Sequence, residues 1–245
     1  MITSETSWRI SSSSLPVFTD LQMDCATIRS LGSMMSRHWL KTSVIACLLA
    51  ISLPVQAATI LVFGDSISAA YGLETNQGWV QLLQQKLDKT AAKKHKVING
   101  SLSGETTSGG VRRLPPLLQK HRPDLVIIEL GGNDGLRGHS PTMLAKNLRQ
   151  MIIDAQKSGS KVIMLGMKIP PNYGKTYAQA FERSFVTASK ETGIPLLPFF
   201  LEGIGGNMQL MQKDGIHPTA AAQQRLLDNA WPLISRELKK MPAPG

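Results

Sequence analysis

Cysteine is almost absent from this chain, which contains only Cys25 and Cys47 among its 245 residues. Both lie near the N-terminus, so residues 58–245 contain no cysteine at all. This absence excludes a disulfide framework, a thiol nucleophile and a cysteine-based metal site from that part of the chain. Residues 58–245 are nevertheless long enough to bury one apolar core, and we expect them to form a single domain.

Acidic and aromatic residues are also scarce. The chain has 17 Asp and Glu against 27 Lys and Arg, a net charge of +10, and only 5% aromatic residues. A basic protein attracts anionic surfaces. Nucleic acid is not the expected partner, because the basic residues are scattered, with one tight run at 93–96, and few aromatic rings are available for stacking. An anionic membrane surface stays open as a peripheral contact.

No apolar run is long enough to cross a bilayer as a helix, which needs about 20 residues. The run at 44–55 is shorter than that, follows several basic residues and is followed by Ala57. This arrangement is typical of a secretory signal peptide, which we place at 35–57 with cleavage after Ala57. Residues 1–34 are polar and serine-rich, and are interpreted as a spurious or disordered leader. The protein is therefore expected to be periplasmic or secreted.

Strand-length apolar runs alternate with amphipathic stretches over residues 58–245. The apolar runs are continuous, as in strands covered on both faces, and lie at 59–63, 96–99, 124–130, 161–167 and 195–200. The helical stretches lie at 78–92, 108–121, 140–158, 175–192 and 218–239. The alternation predicts an α/β protein with three layers, a parallel sheet between two layers of helices.

Two local features refine the helices. In the stretch 140–158, Ser140 is expected to cap the helix, Pro141 suits its first position and Gly159 ends it. The expected buried face comprises Leu144, Leu148, Met151, Ile152 and Ala155. Pro115 and Pro116 predict a break or kink in the stretch 108–121.

Small polar residues follow the predicted strands. Ser66 follows the first strand, Gly104 the second and Asn133 the third, and Asp214 and His217 precede the last helix. Parallel sheets bind ligands beyond the carboxyl ends of their strands, so we expect these residues in one crevice.

A serine hydroxyl becomes a nucleophile when a base takes its proton, and the base needs a carboxylate partner. The segment "DGIHP" places Asp214 three residues before His217. Taken singly, each residue also has an ordinary structural interpretation. Ser66 and Asp214 suit helix caps, His217 a polar loop, Gly104 a turn with positive φ and Asn133 an Asx turn.

Together the segments "FGDSIS", "NGSLSGET", "GGND" and "DGIHP" resemble the SGNH (GDSL) hydrolases, in the same order along the chain. The resemblance implies Ser66 as nucleophile, His217 as base and Asp214 as its partner. It further implies an oxyanion hole formed by Ser66, Gly104 and Asn133, and a flavodoxin-like sheet of five strands. No metal and no cofactor is expected to be needed.

The resemblance also implies substrates: acyl esters and thioesters such as lysophospholipids, aryl esters and acyl-CoA, cleaved in the periplasm through an acyl-serine intermediate. An alternative within the same fold is a carbohydrate acetylesterase. A different class is a binding module without turnover, although such a module has no need of the whole residue set. A nucleotide-binding domain is excluded, because "GGNDG" lacks the lysine of a phosphate loop and the spacing of a dinucleotide fingerprint.

Four further residues are predicted to bind substrate in an acyl groove, namely Ile169, Pro170, Met208 and Met211. Methionine suits this role because its flexible side chain can follow an acyl chain. The alternative is that the apolar residues in these loops only cover the ends of the sheet. Asp65 and Asp134, next to Ser66 and Asn133, are expected to hold the neighbouring loops and to take no part in the chemistry.

Overall fold

A parallel sheet of five strands lies at the centre of the computed structural model, which describes residues 57–90 and 95–241. The strands are β1 (Thr59–Gly64), β2 (Lys96–Asn99), β3 (Leu125–Glu129), β4 (Lys161–Leu165) and β5 (Leu196–Leu197). Their order is β2-β1-β3-β4-β5, and every neighbouring pair is parallel. This is the flavodoxin-like order, so the predicted fold class is confirmed.

Six α-helices cover the two faces of the sheet within the described residues. They are α1 (Trp79–Thr90), α2 (Thr107–His121), α3 (Gly132–Leu136), α4 (Pro141–Lys157), α5 (Lys175–Thr192) and α6 (Gln223–Lys239). Helix α1 packs against α6, whereas α4 packs between α2 and α5. The predicted face of α4 is buried as a whole. Because strands β1, β3 and β4 are buried almost throughout, the core lies on both sides of the sheet.

The local expectations for the helices were partly wrong. Helix α4 begins at Pro141 as predicted, but the Ser140 side chain makes no capping hydrogen bond. Helix α2 continues through Pro115 and Pro116, so neither proline breaks it. Both prolines lie on the exposed side, where water can replace the backbone hydrogen bonds that proline cannot make. Buried Leu114 and Leu118 hold the opposite side of the helix on the core.

The predicted leader at 1–34 and signal peptide at 35–57 lie outside the described residues, apart from Ala57. The tight basic run at 93–96 is described only in part. The division of the chain into leader, signal peptide and domain therefore stays a prediction. Among the helices of residues 57–90 and 95–241, none combines the length and the apolar character needed to cross a membrane.

The strand order places a crevice at the carboxyl end of β1. The chain moves from β1 to β2 on one side, and the next strand, β3, lies on the other side of β1. Such a switch point is where open α/β sheets bind their ligands. Two hydrogen bonds tie the loop after β2 to the end of β1: Gly64 N–H donates to Ser101 Oγ at 3.0 Å, and Leu102 N–H donates to Gly64 O at 3.1 Å.

Candidate active site

Ser66 lies in a tight turn directly after β1. Residues 66–72 form turns, and no α-helix follows until α1 begins at Trp79, so the helix-cap interpretation of Ser66 does not hold. Gly64 is required at the end of the strand. A Cβ there would lie 2.5 Å from Glu129 Oε2 and 2.7 Å from Ser68 Oγ, closer than atoms can approach. Glycine therefore precedes Asp65 and Ser66 because the chain packs closely at position 64, directly before the turn that carries Ser66.

The structure brings Ser66, His217 and Asp214 together in a chain of hydrogen bonds. His217 Nε2 lies 2.9 Å from Ser66 Oγ, and His217 Nδ1 lies 2.7 Å from Asp214 Oδ2. Ser66 is 151 positions from His217 in the sequence, so only the fold creates this contact. The geometry is that of a nucleophile, a base and an orienting carboxylate.

The loop that carries Asp214 and His217 is closed at its base by backbone pairing. Met211 and Pro218 form an antiparallel bridge, and Gln212 N–H donates to His217 O at 2.7 Å. Within the loop, Asp214 Oδ1 accepts the backbone N–H of Ile216 at 2.9 Å and of His217 at 3.0 Å. These bonds fix the carboxylate and the imidazole relative to each other before any substrate binds.

The same bonds keep Asp214 ionised. The backbone N–H of His217 is the largest cause that lowers the pKa of Asp214 to about 2, and the His217 side chain and the Ile216 N–H add to it. The Asp214 side chain is 39% exposed, so desolvation opposes this lowering only in part. An ionised Asp214 can orient the His217 ring and stabilise the positive charge that the ring acquires in acid–base catalysis.

Asn133 lies at the start of helix α3, and Gly104 lies in the loop after β2. The Asn133 side chain at the start of α3 donates from Nδ2 to Asp65 Oδ2 at 3.2 Å, next to Ser66 in the chain. Gly104 is exposed with a φ of +77°, a conformation that favours glycine, and its carbonyl accepts Arg137 Nη2 at 3.2 Å. Their role as oxyanion donors stays a prediction.

Two buried carboxyl groups lie beneath the turn, and sequence reasoning missed one of them, Glu129. Glu129 Oε2 accepts the Ser68 hydroxyl and, at 3.4 Å, the backbone N–H of Asp65. Trp79 Nε1 donates to Ser68 Oγ at 3.2 Å. Burial is the main cause that raises the pKa of Asp65 to about 6, and burial followed by the Asp65 charge raises the pKa of Glu129 well above its usual value. An acidic residue inside the apolar run "LVIIEL" was the available signal.

Asp65 and Asp134 hold neighbouring loops, as expected from their positions. Asp65 accepts Ile67 N–H at 3.1 Å in addition to the Asn133 amide. Asp134 accepts both the backbone N–H and the hydroxyl of Thr107, at 2.8 Å and 2.7 Å. The second carboxylate thus fixes the start of α2 to α3, the helix that carries Asn133.

The four residues predicted to bind substrate occupy different environments. Ile169 and Met211 are buried. Ile169 covers α3, where a Cβ on Gly135 would lie 2.5 Å from Ile169 Cγ2, and Met211 belongs to the bridge below His217. Pro170 is exposed, and Met208 is 75% exposed. Ile169 and Met211 therefore support the loops of the site, and substrate binding by all four stays a prediction.

Sequence reasoning also missed the exposed apolar residues on the segments that carry Ser66, Gly104 and His217. The ring of Tyr71 lies 4.5 Å from the His217 ring and is tilted by 39°, although Tyr71 is 53% exposed. Leu102, in the loop before Gly104, and Ile216, next to His217, are exposed as well. Leu102 and Ile216 lie inside the segments "NGSLSGET" and "DGIHP", and Tyr71 lies outside all four segments, but an exposed apolar side chain in a loop gives no local signal of a role. We call Tyr71, Leu102 and Ile216 the apolar rim.

Comparison with known proteins agrees with this fold and identifies the family. The model of the GDSL-like Lipase/Acylhydrolase family matches residues 62–225. The chain therefore belongs to this family, the SGNH hydrolases, and is a hydrolase that acts on ester bonds.

Individual relatives narrow the class further. Esterase TesA of Pseudomonas aeruginosa is 52% identical over 77% of this chain and 94% of its own length. Thioesterase 1/protease 1/lysophospholipase L1 of Escherichia coli K12 is 41% identical over 70% of this chain and 81% of its own length. The crystal structure of the psychrotrophic esterase EstA from Pseudoalteromonas sp., inhibited by monoethylphosphonate, is 41% identical, with a TM-score of 0.71 over 75% of this chain and all of that one.

Proposed function

We propose that the protein is a serine esterase and thioesterase in which Ser66 is the nucleophile, His217 the base and Asp214 its partner. The observation that carries the proposal is the unbroken hydrogen-bonded chain from Ser66 Oγ through both nitrogens of His217 to Asp214, at 2.9 Å and 2.7 Å. Membership of a family of acylhydrolases supports it independently.

In the proposed mechanism, His217 Nε2 takes the hydroxyl proton as Ser66 Oγ attacks the acyl carbonyl carbon. The C–O or C–S bond of the resulting tetrahedral intermediate then breaks, and His217 returns the proton to the leaving alcohol or thiol. Water, deprotonated by His217 in the same way, attacks the acyl-serine; the bond from the acyl carbon to Ser66 Oγ then breaks, His217 returns the proton to Ser66 Oγ, and the carboxylic acid is released. Asp214 holds the Nδ1 side of the ring throughout.

The oxyanion of each tetrahedral intermediate is proposed to bind to the backbone N–H groups of Ser66 and Gly104 and to the Asn133 amide. One Asn133 amide hydrogen is directed to Asp65 Oδ2, at an N···O distance of 3.2 Å, which leaves the second for the substrate. Donors that are already in place at the developing charge supply a large share of the rate enhancement in acyl transfer.

The proposed substrates are esters and thioesters with an apolar acyl or aryl group, including lysophospholipids, aryl esters and acyl-CoA. The apolar rim supports this choice, because Tyr71, Leu102 and Ile216 leave apolar surface exposed on the segments that carry the site. The names of the relatives, esterase TesA and thioesterase 1/protease 1/lysophospholipase L1, support ester, thioester and lysophospholipid substrates and do not favour the carbohydrate acetylesterase alternative. Flexible Met208 is proposed to extend this surface.

Export to the periplasm is part of the proposal and is supported by the sequence of residues 35–57. Since acyl-CoA is a cytosolic metabolite, lysophospholipids and other carboxylic esters are the proposed physiological substrates. Residues 58–245 keep a large excess of Lys and Arg over Asp and Glu, which supports a peripheral contact with anionic lipid. Sedimentation with phosphatidylglycerol vesicles, but not with phosphatidylcholine vesicles, is the expected result, and equal sedimentation with both would contradict an electrostatic contact.

The test of the function compares the protein with its Ser66→Ala variant on p-nitrophenyl acetate, butyrate, octanoate and palmitate. Turnover that requires Ser66 and increases beyond the acetate is the expected result. Activity confined to the acetate would favour the carbohydrate acetylesterase. Absence of any turnover that depends on Ser66 would leave a binding module, and the proposed mechanism would be wrong.

A further inference from the structure

Gln212 connects the two loops that meet in the proposed catalytic site. It lies two residues before Asp214, and its side-chain Nε2 donates to Tyr71 O at 2.9 Å and to Pro218 O at 3.1 Å. Tyr71 belongs to the turn after Ser66, whereas Pro218 follows His217. One amide group therefore spans from the nucleophile loop, residues 66–72, to the acid–base loop, residues 211–218.

The orientation of this amide follows from its partners. Both partners of Nε2 are backbone carbonyl oxygens, which only accept hydrogen bonds, so the amide nitrogen has to face them. The backbone of Gln212 adds a third contact, since its N–H donates to His217 O at 2.7 Å. Gln212 thus holds the carbonyl groups of His217 and Pro218 on one side and that of Tyr71 on the other.

Tyr71 passes this restraint to the nucleophile. Its N–H donates to Ser66 O at 3.0 Å, and its ring packs on the His217 ring at 4.5 Å. A continuous path of short contacts therefore runs from Ser66 through Tyr71 and Gln212 to His217. The 2.9 Å contact between Ser66 Oγ and His217 Nε2 is the point where the two loops meet again.

Gly72 provides independent evidence that room is kept for this side chain. Gly72 has a φ of +75°, and a Cβ at this position would lie 2.5 Å from Gln212 Oε1. Any larger residue at Gly72 would be strained and would push the Gln212 amide away from its carbonyl partners.

We propose that Gln212 is a positioning residue that clamps the acid–base loop onto the nucleophile loop and so sets the distance between His217 and Ser66. Gln212 makes no hydrogen bond to the Ser66 hydroxyl or to the His217 imidazole. It therefore affects their distance only by holding the backbone of the two loops. A loss of the clamp should slow the proton transfer from Ser66 and leave the binding of the acyl group almost unchanged. The inference rests on the proposed function, because the distance matters only if these two residues react.

The test replaces Gln212 by methionine, which has a similar length but no donor. The matched control is Gln209→Met in the same segment, since Gln209 is exposed and its side chain makes no hydrogen bond within residues 57–90 and 95–241. The measurements are kcat and KM for p-nitrophenyl butyrate, the rate of covalent modification by a p-nitrophenyl alkylphosphonate, and the melting temperature. The phosphonate reports the reactivity of Ser66 without the need for acyl-enzyme hydrolysis.

For Gln212→Met we expect kcat and the phosphonylation rate to fall together, by about tenfold to a hundredfold, because small displacements of catalytic groups have effects of this size. KM should change by less than about threefold, in line with an effect on positioning rather than on binding. Gln209→Met should match the parent in every measurement.

Three results would overturn the clamp. The first is a kcat of Gln212→Met equal to that of the parent protein. The second is a change in KM alone. The third is a loss of rate together with a large fall in melting temperature, which would show that Gln212 has only a structural role. Ser66→Ala is measured in parallel. If Ser66→Ala loses turnover while Gln212→Met keeps it, only the clamp is wrong; if Ser66→Ala keeps turnover, the clamp and the proposed function both fail.

Discussion

The carboxylates of this site lie in two contrasting regions. Asp214 is on an exposed loop, where backbone N–H groups lower its pKa to about 2. Asp65 and Glu129 are buried below the Ser66 turn, where desolvation is the main cause that raises both pKa values. The same functional group thus serves two purposes within one site. Backbone donors keep the exposed carboxylate charged, whereas burial favours the protonated forms of the two carboxyl groups that support the turn.

The largest expected effect concerns the exposed carboxylate. Asp214→Asn keeps the shape of the side chain but removes the charge that faces His217 Nδ1, so we expect kcat to fall on the order of 10⁴-fold, as for the corresponding change in other serine triads. Steady-state kinetics on p-nitrophenyl butyrate measure this loss. A decrease of less than about tenfold would show that the exposed Asp214 is a loop cap and not a catalytic partner.

Asn133, the proposed side-chain oxyanion donor, is expected to have the next largest effect. Asn133→Ala removes the side-chain amide, and we expect kcat to fall on the order of 10²–10³-fold. The melting temperature should change little, because Asn133 is only half-buried. Steady-state kinetics measure the expected fall in kcat, and thermal unfolding of the same preparation measures the melting temperature. An unchanged kcat would leave the backbone N–H groups of Ser66 and Gly104 as the only oxyanion donors.

A smaller loss of rate is expected from the buried region. Asp65→Asn exchanges the oxygen that accepts the Asn133 amide for a second amide, so Asn133 loses the bond that orients it. We expect kcat to fall by about tenfold, the range for loss of one hydrogen bond to a charged group. The double variant Asp65→Asn with Asn133→Ala should be no slower than Asn133→Ala alone. Additive losses would show that Asp65 acts on another group.

The smallest expected effect is on stability. The buried Glu129 and the exposed Asp214 should change stability with pH in opposite directions. Glu129 holds its proton above the usual pKa of 4.5 in the folded protein, so the parent should lose stability as pH rises from that value toward the raised pKa. Glu129→Gln has no proton to lose, and its melting temperature relative to the parent should increase with pH. Thermal unfolding between pH 5 and 9 measures this trend.

The control is Asp214→Asn, for which the sign is opposite. The folded-state pKa of Asp214 is about 2, below the ordinary value of 3.8, so its contribution to stability is present above 3.8 and is lost as pH falls toward 2. Its melting-temperature difference from the parent should therefore be flat between pH 5 and 9. A flat difference for Glu129→Gln as well would contradict the raised pKa of Glu129.

Much of the fold and the core of the site could be predicted from the sequence. The continuous apolar runs gave the strands, and the segment "DGIHP" indicated a carboxylate beside a histidine, which the structure places at 2.7 Å. The break predicted at Pro115 and Pro116 was wrong, because a helix side that faces solvent tolerates proline. Tyr71 and Gln212 were missed because each acquires its partners from another loop, and no spacing within its own segment records them. Glu129 was missed although an acidic residue inside the apolar run "LVIIEL" was a local signal.

The sequence by itself determined the order of strands and helices along the chain and the residue types of the site. Periodicity and short motifs are local properties of a chain, so both can be identified without the fold. The tertiary structure decided which of these residues meet. Ser66 and His217 come within 2.9 Å only because a parallel sheet gathers the carboxyl ends of its strands at one edge. Burial, which raised the pKa of Asp65 and of Glu129, likewise exists only once the core has packed around them.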